Sequence, residues 1–89
     1  MREAELLSAL SQNQGGVSVC IEYGKVQIDT RYPNGPHVTV TGDNLFEAAF
    51  QCAQLLLKLI KDYPSYRHLC PKVVEALEAY DRHSQALQQ

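Results

Sequence analysis

The chain lacks most of the devices that announce a chemistry. There is no GxSxG elbow, no glycine-rich phosphate loop and no metalloprotease helix motif. The three cysteines, Cys20, Cys52 and Cys70, are an odd number without CxxC spacing. No apolar run approaches the roughly 18 residues of a membrane span. The opening MREAELL has no long apolar stretch of the kind a secretory leader carries, so a cytoplasmic location is the expectation. A large excess of charge of one sign is also missing. A net charge of −2 supplies no global field to draw in nucleic acid or an acidic membrane surface.

These absences bear on cofactors and catalysis. A zinc site needs three or four converging ligands, and the candidates are Cys20, Cys52, Cys70, His37, His68 and His83. Only His68 and Cys70 are close in sequence, and their i, i+2 spacing is not a recognised ligand pair. Cys70 precedes the last helix beside Arg67, His68 and Lys72, where a thiol could be activated, but no Asp, Asn or Glu is placed to orient His68. No cofactor, no metal and no enzyme activity are therefore expected.

What is present is a chain of 89 residues, 45% of them apolar, enough for one domain over residues 1–89 with a modest core. Residues Glu3 to Gln12 carry Leu6, Leu7 and Leu10 and predict a short amphipathic helix that exists only by docking. Gly15 and Gly16 break it, free to adopt the left-handed conformations of a helix exit. From Val17 the period changes to two. Val17, Val19, Ile21 and Tyr23 alternate with polar residues, as do Val26, Ile28, Thr30 and Tyr32. A Gly24-Lys25 turn would set Tyr23 against Val26, Ile21 against Ile28 and Val19 against Thr30, so the two apolar faces coincide. Tyr32-Pro33-Asn34-Gly35-Pro36 reads as a loop, and His37 to Thr41 as a third strand beside the second.

The stretch Gly42 to Asp62 reads as one long helix. Asn44 suits the N-cap, and Glu47 can reach back to the capping residue's amide. Asn44, Glu47, Gln51, Gln54, Lys58 and Lys61 form one narrow polar stripe. The remaining side chains span roughly 200° of the surface, well beyond the ~100° of an ordinary surface helix. That width demands two burial partners. The sheet is one; the other is a last helix from Pro71 to about Leu87 with Val73, Val74, Leu77, Tyr80 and Leu87 along one side. Glu78 and Arg82 can pair on its other side. Gln88 and Gln89 are expected to fray. The expected fold class is α+β: N-terminal helix, three-stranded antiparallel sheet, long central helix, C-terminal helix.

The passage from His37 to Leu59, with Gly42, Asp43, Leu45, Glu47 and Ala48 at its turn, resembles the strand-to-helix step of HicB-like antitoxin domains. Small phage-encoded α/β sandwich domains show a similar step. The leading helix and the last helix depart from the HicB pattern, and no DNA-binding tail is recognisable. The helix, three strands, helix order is also that of double-stranded RNA-binding domains, but Asp43, Asn44 and Glu47 stand where those carry a basic cluster.

The functional expectation is a small protein-interaction module, a homodimer of phage-like or mobile-element type, that regulates or inhibits a partner protein. The candidate partner-binding residues are Lys58, Lys61, Tyr63, Tyr66, Arg67 and His68, which combine interface-favoured tyrosines with the one locally basic run. Nucleic-acid binding through the run from Lys58 to Lys72 is the alternative.

Overall fold

A computed structural model describes residues 3–11, 16–32, 37–68 and 71–87, without the side chains of Arg67, His68 and Leu87. The order is α1 (Glu3–Leu10), β1 (Gly16–Glu22), β2 (Lys25–Arg31), β3 (His37–Gly42), α2 (Leu45–Asp62), a 3₁₀ turn (Pro64–His68) and α3 (Pro71–Leu87). The three strands form one antiparallel sheet in the order β1-β2-β3. This is the α+β arrangement that the change of period predicts. Gly15, the loop from Pro33 to Pro36, Cys70, Gln88 and Gln89 lie outside the described residues.

The hairpin turn is the first correction. Its central residues are Tyr23 and Gly24, with φ of 53° and 76°, the positive pair of a type I′ turn that matches the twist of the flanking strands. Glu22 therefore faces Lys25, Ile21 faces Val26, Val19 faces Ile28 and Val17 faces Thr30. The register differs from that of a Gly24-Lys25 turn by two residues, so every side chain keeps its face. Alternation determines parity, and the turn chooses among registers of equal parity. Gly16 is the first residue of β1, not part of a helix exit.

The apolar face of the sheet consists of three rows: Val17, Thr30, Val38; Val19, Ile28, Val40; and Ile21, Val26, Gly42. The long helix packs on this face. Asn44 caps it in extended conformation, its side chain accepting from the Glu47 amide at 2.8 Å. The Glu47 carboxylate accepts from the Asp43 amide at 3.0 Å, one residue before the cap rather than at the cap itself. Gly42 makes the close approach possible. A Cβ there would lie 2.6 Å from the Ala48 nitrogen, so only glycine lets the start of α2 settle against the end of β3.

Ala48, Ala49, Cys52, Ala53, Leu56 and Ile60 form the buried stripe of α2. The small residues at its N-terminal end suit the close approach at Gly42, and Leu56 and Ile60 carry the burial toward its other end. Leu6 and Leu10 of α1 are fully buried, as are Leu77 and Tyr80 of α3, with Val73 and Val74 nearly so. The second partner of α2 is thus α3, bridged through Gln54 donating to Asp81. Burial pushes the Tyr80 phenol up to about 12, and its hydroxyl donates to Glu3 at 3.4 Å, tying α3 to α1. The Tyr32 hydroxyl donates to the Leu10 carbonyl at 2.7 Å and so anchors the end of α1 to the end of β2. α1 is docked at both ends, as a helix too short to stand alone requires.

Candidate functional site

The second correction concerns what the long helix covers. One flank of α2, with Leu55 and Leu59, lines a groove of about 340 Å³ with His37, Val38 and Thr39 of β3. At 100° per residue, Phe46, Phe50 and Leu57 occupy the opposite flank. The helix therefore sits over β3 and β2, and the tip half of β1 extends beyond its cover. Val17, near α1, is half-buried, but Val19 is 46% exposed and Ile21 72% exposed, although both stand on the core face of the sheet. Tyr23, at the tip, is fully exposed.

β1 is also an edge strand, because β2 occupies only one of its sides. The residues flanking a two-residue hairpin turn exchange both backbone hydrogen bonds. Glu22, Cys20, Ser18 and Gly16 consequently direct their N–H and C=O groups to β2. Val17, Val19 and Ile21 direct theirs to the open side, where no described strand pairs with them. The same three residues thus supply both an apolar strip and a row of unused backbone donors and acceptors. Edges of this kind are usually guarded by lysine, proline, a bulge or an inward charge. β1 has none of these within Gly16–Glu22; its single charge, Glu22, stands at the end of the strand.

The tip adds strain. A tyrosine at φ of 53° is an outlier, because Cβ crowds the following carbonyl in the left-handed region. Asparagine or glycine is the ordinary occupant of this turn position. No described packing compensates for the strain, since Tyr23 is fully exposed.

The opposite face of the sheet is polar and locally satisfied. Asp29 accepts from Thr39 at 2.8 Å and from Arg31 at 2.9 Å, and these two bonds, in that order, hold its carboxyl below the usual carboxylate range. Lys25 donates to Asp43 across the base of the hairpin, which raises the lysine's pKa. Cys20 is exposed on this face, whereas Cys52 is fully buried under α2, its thiol pushed up to about 11 by burial. Among the described residues no group of three or more His, Cys, Asp or Glu is arranged to hold a metal ion.

The residues that sequence reasoning selects for partner binding fall at the other end of α2. Tyr63 is the C-cap residue, donating its amide to Leu59 at 2.8 Å. Its half-exposed ring packs on Tyr66 with centroids 5.6 Å apart, and Tyr66 also packs against the core cluster. Lys58 and Lys61 are exposed, with Lys58 on the rim of the β3 groove beside Asp62. The side chains of Arg67 and His68 lie outside the described residues, so the structure brings together Tyr63 and Tyr66 only. The β1 strip escapes sequence reasoning because its alternation is that of an ordinary core-facing strand. Its one advance signal is Tyr23 next to Gly24, an aromatic where the turn favours asparagine.

No helix of the described residues is long and apolar enough to cross a membrane. Comparison with known proteins returned no matching family model, no matching characterised protein and no matching solved structure.

Proposed function

We propose that the protein is a small interaction module, a regulator or inhibitor that works by associating with other protein chains, and that its contact surface is the outer edge of β1. The observation that carries this reading is the coincidence, on Val19 and Ile21, of an uncovered apolar face with an unpaired backbone edge. A strand added there gains backbone hydrogen bonds and covers apolar surface worth ~25 cal/mol per Å². The strained, fully exposed Tyr23 beside it supports the same reading, since strain without local compensation tends to collect at functional positions. So does the resemblance of the strand-to-helix step from Gly42 to Ala48 to antitoxin domains, which also favours a phage-like origin.

The experiment is to immobilise the full chain and its Val19→Lys and Ile21→Lys variants and compare the proteins each retains from a lysate of the native host. Proteins held by the wild type and lost from both variants are expected. Identical retention by all three would overturn the assignment to β1. Loss instead from Lys58→Ala and Lys61→Ala would move the surface to the far end of α2.

A further inference from the structure

We infer that the strand which completes the β1 edge is β1 of a second copy of this chain, joined antiparallel about a two-fold axis at Val19. The inference rests on the reading of β1 as an interaction surface and names its occupant. Three observations carry it. The first is the chemistry of the edge: outward N–H and C=O groups at Val17, Val19 and Ile21 are matched by an extended backbone, which gives two hydrogen bonds at each such pair. A helix face offers no such partners.

The second is that β1 is self-complementary. With Val19 opposite its own copy, Val17 faces the partner's Ile21, Ser18 the partner's Cys20 and Gly16 the partner's Glu22, so apolar meets apolar and no like charges meet. This register uses all three outward-facing residues. Sliding the strands toward the tip leaves Val17 unpaired, and sliding further sets the two Glu22 carboxylates against each other. Like charges directly opposite in a sheet destabilise it.

The third is the unequal cover along the strand. The Val17 end is half-buried and packed against the core, while the Ile21 end is open. An antiparallel two-fold places the open end of each strand beside the covered end of the other. The two sheets then continue as one of six strands with all helices on a single side. Such an isologous contact closes on itself, whereas pairing β1 to the free edge of β3 would propagate from copy to copy.

The test is sedimentation of the full chain over a wide concentration range, combined with amide exchange and with cross-linking by a short bis-maleimide. The expected result is a dimer, with protection of the Val17, Val19 and Ile21 amides that grows with concentration. A Cys20-to-Cys20 cross-link is expected, lost in Cys20→Ser. Ile21→Lys should weaken the dimer at least tenfold while leaving the circular dichroism spectrum of the monomer unchanged. A strict monomer at millimolar concentration would overturn the inference, and so would a dimer indifferent to both Ile21→Lys and Val19→Lys. A monomer that still loses a captured protein on Ile21→Lys would sink the second copy but keep β1 as the interaction surface. An indifferent dimer whose captured proteins also do not change would sink both.

Discussion

Tyr23 is the residue at which sequence preference and structure disagree most. A type I′ turn favours Asn-Gly, and tyrosine at φ of 53° costs about 1 kcal/mol or more. Tyr23→Asn is therefore expected to raise the unfolding free energy by about 1 kcal/mol, read as a higher urea midpoint at constant slope. If the tip belongs to the interface, the same variant weakens association. A more stable, less associating variant would separate the two roles of this position. Alternation alone places Tyr23 in the strand, because parity does not distinguish a Tyr23-Gly24 turn from a Gly24-Lys25 turn.

At the scale of elements, the strand-to-helix step from β3 to α2 is the most tightly specified junction. Asn44 closes one orphan amide of the helix, Glu47 accepts from the Asp43 amide, and Gly42 admits the backbone of Ala48. Gly42→Ala is expected to destabilise the fold by roughly 1–3 kcal/mol, since the new methyl group meets backbone atoms rather than a side chain that can swing away. Thermal or urea unfolding measures it, and a neutral result would show that α2 can lift from the sheet. The cap and the wide apolar arc were both legible in the sequence. Which flank of the arc would overhang which strand was not, because helical periodicity gives the angular spread of apolar side chains but no direction across the sheet.

For the whole molecule, the buried thiol and phenol link stability to alkaline pH. Burial raises Cys52 from 9.0 to about 11 and Tyr80 from 10.0 to about 12. The native state holds these protons after the unfolded chain has released them, so their contribution is complete below about pH 9. It is lost as pH rises through the native values. Unfolding free energy should fall between pH 9 and 11 by on the order of 2 kcal/mol from Cys52 alone. Cys52→Ala should flatten that slope, and Tyr80→Phe should flatten the part above pH 10. A slope unchanged in both variants would mean that the core admits water. Both groups lie where α2 and α3 meet their neighbours, so the measurement reports on the packing of the layers rather than on one helix.

The sequence by itself determined the number and order of the α-helices and strands: the change from period 3.6 to period two, the Asn44 cap, and the breaks at Pro64 and Pro71 are local signals with local causes. It also determined which face of each strand is apolar, because a side chain's face depends only on parity. Only the tertiary structure decided how far the long helix reaches across the sheet. The close approach at Gly42 sets the start of α2 against the end of β3, and α1 covers β1 only near Val17, so the tip of β1 is left open. Val19 and Ile21 read as core in the sequence and stand uncovered in the fold because burial is a property of neighbours distant along the chain.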